Sequence, residues 1–171
     1  MTTVVLSIGS NMGDRLAHLQ SVIDGLGPAV LAVSPVYETD PWGGVDQSPF
    51  LNAVLVAQDP ELDARGWLHR GQEFERAAER VREEHWGPRT LDVDVISCRN
   101  GAADEMSRDD ELTVPHPHAH ERAFVLIPWL AVDPAATLMV GGDPRPITAL
   151  LADLDPGERD GVRLTDLVLA T

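Results

Sequence analysis

The sequence predicts an α+β fold, a single antiparallel sheet with helices packed on it, in the element order β-α-β-β-α-β. Three observations carry this. Apolar residues recur at helical spacing at Leu16, Leu19, Val22, Ile23 and Leu26. They alternate at strand spacing through Leu51, Ala53, Leu55 and Ala57, and again through Leu91, Val93 and Val95. The pairs Gly27-Pro28 and Gly87-Pro88 punctuate the periodic stretches. This order is the split βαβ arrangement, with helices on one face of the sheet.

Residues 3–8 read as a buried first strand. The turn Gly9-Ser10-Asn11-Met12-Gly13-Asp14 offers Asn11 or Asp14 as the N-cap of the first helix, which Gly27-Pro28 ends. Residues 29–39 form a second strand in which Pro35, lacking an N–H, marks an edge or a bulge. Residues 40–49 hold two prolines and two glycines and form a long loop. A third strand spans 50–58, a long helix 63–84 and a fourth strand 91–96. Beyond it, 99–111 is a polar loop, 112–117 is extended, 119–130 is partly helical, 146–154 is a short helix and 162–169 is a strand. One domain covers residues 1–171, with the core motifs in about 4–134.

Composition excludes several classes. The chain has 171 residues, 43% of them hydrophobic, enough for one sizeable core. No run of about 18 apolar residues marks a membrane span, and no signal peptide precedes the first strand, so a cytoplasmic protein is expected. Cys98 is the one cysteine, which precludes an internal disulfide framework. A net charge of −15 disfavours nucleic acid and anionic membranes as partners. All 13 basic residues are arginine, so Schiff-base lysines, the P-loop lysine and the strand lysine of protein kinases are absent. Any phosphate must be gripped by arginine, main-chain N–H groups or metal.

The most informative stretch is Trp86-Gly87-Pro88-Arg89-Thr90-Leu91-Asp92-Val93-Asp94-Val95-Ile96. Alternation puts Asp92 and Asp94 on one strand face, with Leu91, Val93 and Val95 turned to a core. Two adjacent carboxylates repel, and a sheet gains from them only when a cation sits between. Hard oxygen ligands suit Mg²⁺, which is commonly held by one or two carboxylates plus substrate phosphates.

On the second helix Gln72, Glu75, Glu79 and Arg82 share a stripe. Arg80, Arg82, Arg89 and Arg122 form a cationic lobe in an acidic chain, a grouping that a polyphosphate explains. Residues 112–124 hold three of six histidines. The intervening prolines disfavour zinc ligation there and favour one histidine donating to a phosphate oxygen. Trp42 and Trp86, in loops rich in glycine and proline, suit stacking on a planar ligand.

These residues resemble the 6-hydroxymethyl-7,8-dihydropterin pyrophosphokinase family of folate biosynthesis. The likeness spans roughly residues 4–134 and rests on W-G-P-R-T-L-D-V-D-V-I and L-T-V-P-H-P…R-A-F-V-L-I-P, with I-G-S-N at 8–11 and F-L-N-A at 50–53. It implies a ferredoxin-like fold and transfer of pyrophosphate from ATP to the hydroxymethyl group of a reduced pterin, releasing AMP, by a monomer. It implies that Asp92 and Asp94 hold two Mg²⁺ ions. Gln72, Glu75, Arg82, Trp86, Ile96, Thr113, His116 and Arg122 would line the ATP site, and Arg80 and Arg89 would close over the phosphates. Asn52 would read the pterin edge, helped by main-chain groups at Thr39 and Trp42, with Phe50 and Phe124 flanking the ring and Gly9 approaching it. The chain departs from the pattern at Glu79, at a 82–86 segment one residue short, at Glu111 where some members have a basic ATP contact, and at His118 where arginine is frequent.

Overall fold

The computed structural model describes residues 2–40, 48–79 and 90–171. Trp42, Arg80, Arg82, Trp86 and Arg89, and the expected continuation of the second helix to residue 84, lie outside the described residues.

Strand β1 (Thr2–Ser10) runs through the middle of a seven-stranded sheet in which every pairing is antiparallel. Of the two candidate caps, Asp14 is used: its carboxylate accepts from the Ala17 N–H at 3.1 Å and starts α1 (Arg15–Leu26). Gly27 follows at φ 55° and ψ −127°, a positive-φ conformation that glycine adopts most readily.

The second strand is two pieces, β2 (Val30–Val33) and β3 (Tyr37–Thr39), both paired with β4 (Phe50–Asp59). Pro35 lies in the gap, where a ladder N–H is missing. Ser34 bridges the break. Its N–H donates to the Val54 carbonyl and its hydroxyl accepts from the Val54 N–H, each at 2.9 Å.

Helix α2 (Ala64–Glu79) turns Trp67, Phe74 and Ala78 inward, and the Trp67 indole donates to the Thr2 hydroxyl at 2.9 Å. Strand β5 (Asp92–Asn100) pairs with the other side of β1. Leu6 faces Val95 while Val5 faces Ser97, so Ile96 is an extra residue, a β-bulge. The bulge inverts the alternation: Val93, Val95 and Cys98 enter one core and Ile96 the other.

The region 99–111 is less irregular than expected. Here β6 (Ala103–Asp104) pairs with the end of β5, and β7 (Ser107–Arg108) pairs with β8 (Thr113–Val114). Two-residue, mostly exposed strands leave no periodicity to read.

The sheet has helices on both faces. Helices α1 and α2 cover Leu6, Ile8, Leu55, Val93 and Val95 on the first, as the split βαβ order requires. The second carries α3 (Ala123–Val132), the hairpin β9 (Thr137–Val140) and β10 (Asp143–Pro146), and α4 (Ile147–Ala152), packed on Val54 and Ile96 through Leu126, Trp129 and Ile147. Then α5 (Pro156–Asp160) leads to β11 (Val162–Leu164), which adds to the sheet outside β3. The strand expected over 162–169 stops there, and Leu169 reaches the first core instead.

Replacing Ser34 by alanine should strand the buried Val54 N–H. Urea denaturation should then report a loss of about 1–3 kcal/mol, whereas loss within error would mean the hydroxyl does not carry the strand break.

Candidate active site

Register builds the site. Tyr37 of β3 faces Asn52 of β4, Asn52 faces Gly9 of β1, and Gly9 faces Asp92 of β5, giving one row across four strands on the second sheet face. The neighbouring rows set Ser7 beside Asp94 and Thr39 beside Phe50. The start of α3 adds Arg122 and Phe124 above these rows, and a cavity of about 500 Å³ lies between.

Gly9 is required by crowding. A Cβ there would stand 2.7 Å from Asn52 Nδ2 and 3.6 Å from the Phe50 ring. Around this gap Asn52 Oδ1 and Thr39 Oγ1 are buried with no hydrogen-bond partner among the described residues. Buried acceptors left without donors are costly, so the floor suits a ligand that brings N–H groups. Phe50 and Phe124 supply apolar faces in the same cavity.

The other end is ionic. Asp92 and Asp94 line it, both half-buried. Among the described residues neither the Asp94 carboxylate nor the Arg122 guanidinium has a hydrogen-bond or ion-pair partner, although Arg122 lies 5.6 Å from the Phe124 ring centre. No cluster of three or more His, Cys, Asp or Glu residues forms among the described residues. Two carboxylates on one strand face fit a hard cation that completes its shell with water and phosphate oxygens.

The outer edge of β5 gathers most of the expected nucleotide residues that are described. The Glu75 carboxylate of α2 accepts from the Val93 N–H at 3.1 Å, and the His116 N–H donates to the Ile96 carbonyl at 2.9 Å. Gln72 of α2 and Thr113 of β8 are half-buried on the elements that flank this edge. The Ile96 side chain is 1% exposed inside the second core, so only its backbone faces the edge. His116 Nδ1 accepts from the His118 N–H at 3.2 Å, which leaves Nε2 to carry the proton of the neutral ring. Burial pushes the His116 pKa down, Arg122 and His118 add to that, and Asp94 opposes them.

The departures acquire local explanations. Glu111 bonds Arg65 at 2.6 Å and His69 at 3.2 Å, while Asp109 bonds Arg65 at 2.5 Å. Arg65 and the Leu112 and Glu111 N–H groups bring the Asp109 pKa down to about 2. These acids therefore pin the β7–β8 hairpin to α2. His118 lines the cavity and pairs with Glu121 at 3.4 Å. The sequence reading missed Ser7, Asp40 and Glu121 as cavity residues. Ser7, two before Gly9 in an apolar strand, carried a signal; Asp40 and Glu121 carried none.

An amide-floored, ring-lined cavity with a carboxylate pair at one end, and an arginine without a partner among the described residues, is the class of pocket that suits a flat small molecule and an anion. The sequence profile described as 7,8-dihydro-6-hydroxymethylpterin-pyrophosphokinase (HPPK) matches residues 5–134, and the chain belongs to that family of pyrophosphokinases. It is 63% identical over 169 residues to the 2-amino-4-hydroxy-6-hydroxymethyldihydropteridine pyrophosphokinase of Mycobacterium tuberculosis, covering 96% of this chain and 90% of that one. It is 59% identical over 175 residues to the protein of the same name from Mycobacterium leprae, covering 99% and 92%. The crystal structure of wild-type Plasmodium falciparum HPPK-DHPS superposes with a TM-score of 0.62 at 14% identity, over 88% of this chain. The chain spans only 44% of that protein, and at such identity the likeness concerns the fold.

A depressed His116 pKa has a thermodynamic consequence. Below the unfolded-state value of 6.5 the unfolded chain takes up a proton that the folded ring resists, so this contribution to stability falls as pH drops from 6.5 towards the lowered folded value. In metal-free buffer, His116→Gln should flatten the fall in urea midpoint over that window. An unchanged pH slope would remove the assignment.

Proposed function

We propose that this pyrophosphokinase of folate biosynthesis transfers the terminal pyrophosphate of ATP to the hydroxymethyl oxygen of 6-hydroxymethyl-7,8-dihydropterin, releasing AMP. The observation that carries this reading is the sharing of one cavity by the Asn52–Thr39 acceptor pair and the Asp92–Asp94 carboxylate pair. The first suits the N–H edge of a pterin. The second suits the metal that accompanies a nucleoside triphosphate.

Asn52 and Thr39 fix the ring through its donors, with Phe50 and Phe124 against its faces, and Gly9 leaves room for the Asn52 amide. The hydroxymethyl group then extends along the row from Gly9 towards Asp92. Asp92 and Asp94 would hold two Mg²⁺ ions, which when bound neutralise charge on the phosphates. Arg122 grips phosphate oxygens, and neutral His116 donates a hydrogen bond from Nε2 without adding charge. Glu75, Gln72, Thr113 and the Ile96 backbone receive the nucleotide along the β5 edge. By the family resemblance Arg82 and Trp86 would bind ATP, Arg80 and Arg89 would act on its phosphates and Trp42 would help hold the pterin; all five lie outside the described residues. Catalysis is then positioning and charge neutralisation, the general requirement of phosphoryl transfer.

The chain acts as one domain, since one sheet carries both cores, and our reading takes it as a monomer. Among the described residues no helix is long and apolar enough to cross a membrane, which accords with a cytoplasmic enzyme.

The test mixes the protein with ATP, Mg²⁺ and the dihydropterin and resolves the nucleotides. AMP should form only when the pterin is present; ADP in its place would refute pyrophosphoryl transfer. Asp92→Ala and Asp94→Ala should each lower kcat by about 10²–10³-fold or more with the circular dichroism spectrum unchanged, and near-wild-type turnover in either would refute the metal assignment.

A further inference from the structure

Residues 156–164 lie beyond the stretch matched by the family profile, yet they touch both walls of the cavity. One wall is the start of α3. No side chain of its own neighbourhood caps that helix, and Arg122, at the N-cap, offers no acceptor. The Glu158 carboxylate of α5 fills the role from 35 residues away, accepting from the Ala123 N–H at 3.2 Å. Ala123 stands between Arg122 and Phe124, the two α3 residues that face the cavity.

The other wall is the end of β3. Val162 pairs with Thr39, and the Gly161 carbonyl accepts from the Asp40 N–H at 3.0 Å. The Arg163 guanidinium forks across Thr39, reaching Asp40 at 3.0 Å and Glu38 at 3.5 Å. Glu38 also bonds Arg15 at 3.3 Å, and Arg15 donates to the Pro49 carbonyl at 2.8 Å, beside Phe50. Thr39 and Phe50, facing each other across the β3–β4 ladder, are thereby held from both strands.

We infer that the α5–β11 segment is a buckle that sets the width of the ring-binding slot, with Glu158 and Arg163 as positioning residues at its two ends. The inference rests on the proposed pterin reading of the cavity. Neither side chain lines that cavity, so each acts through the residues it holds. The ion pairs of Arg163 are exposed and individually weak, so their loss leaves the fold intact and acts on alignment. The two ends differ in consequence. Arg163 holds only Thr39 and its neighbours, whereas Glu158 holds Phe124 and also Arg122.

Equilibrium binding of the dihydropterin, read by its fluorescence, and steady-state kinetics for both substrates test this in Arg163→Ala, Arg163→Lys, Glu158→Ala and Glu158→Gln. Arg163→Ala should raise the pterin dissociation constant about three- to tenfold and leave the KM for ATP within about twofold. Arg163→Lys should restore most of the loss. Glu158→Ala should raise both values, and Glu158→Gln, which keeps the acceptor oxygen, should raise them less. Should Glu158→Ala fail to fold, the Gln variant and the Arg163 pair decide. Unchanged pterin binding in folded Arg163→Ala, or an equal loss for both substrates, would overturn the buckle. A wild-type chain that binds no pterin would instead overturn the functional reading beneath it.

Discussion

The site depends on the register of three antiparallel strands. With β4, β1 and β5 paired as they are, Asn52, Gly9 and Asp92 fall in one row on one face, so amide, gap and carboxylate succeed each other across the sheet. A slip of one residue in either ladder would send one of them to the opposite face, because side chains alternate. The register is protected by what the other face buries. Leu6, Ile8, Leu55 and Val93 all enter the first core, and a slip would exchange Val93 for an aspartate and Ile8 for Ser7 or Gly9. The apolar face thus fixes the geometry of the polar one.

The bulge at Ile96 belongs to the same device. Up to Val95, β5 presents its even-numbered acids to the cavity; Ile96 then enters the second core, and past the bulge Cys98 returns to the first. One inserted residue therefore separates the half of the strand that lines the cavity from the half that does not. The outer edge of the cavity half is engaged by Glu75 and His116 and, among the described residues, is paired by no strand, since β6 pairs only with Arg99 and Asn100. A strand edge with spare donors and acceptors suits the polar face of a nucleotide base.

Much of this was legible in the sequence, for identifiable reasons. Alternation through Leu51–Ala57 and Leu91–Val95 revealed both flanking strands and the shared face of Asp92 and Asp94, because period-two patterning is a direct image of burial. Pro35 announced the broken second strand, though not that Ser34 would repair the ladder with its hydroxyl, which depends on a partner 20 residues away. The β7–β8 hairpin was invisible because its stability comes from Arg65 bridging Asp109 and Glu111, a contact across more than 40 residues. The contributions of Asp40 and Glu121 to the cavity were likewise set by tertiary placement. The elements after residue 134 lay outside the recognisable motifs, and short helices with little periodicity hid their role of closing the second face.

In an acidic chain without lysine, an arginine without a carboxylate partner that lines a cavity marks a place for an anion, and among the described arginines that is Arg122. Most arginines in the described part are occupied: Arg15, Arg65, Arg70, Arg99, Arg145 and Arg163 all pair with carboxylates. Arg122 is half-buried and lacks such a partner among the described residues, although the protein has a formal charge of −15. The backbone explains why. Glu158 spends its carboxylate on the neighbouring Ala123 N–H, and Glu121 is within reach of His118 and His120. Glu121, next to Arg122 in sequence, and Glu158, bonded to the N–H of the following residue, are both drawn elsewhere, so the guanidinium stays available to the cavity. Leaving a cation and a carboxylate such as Asp94 unneutralised in one pocket costs stability, and a ligand carrying both an anionic group and a cation would cancel both charges at once. The arrangement would thus be more favourable loaded with such a ligand than empty.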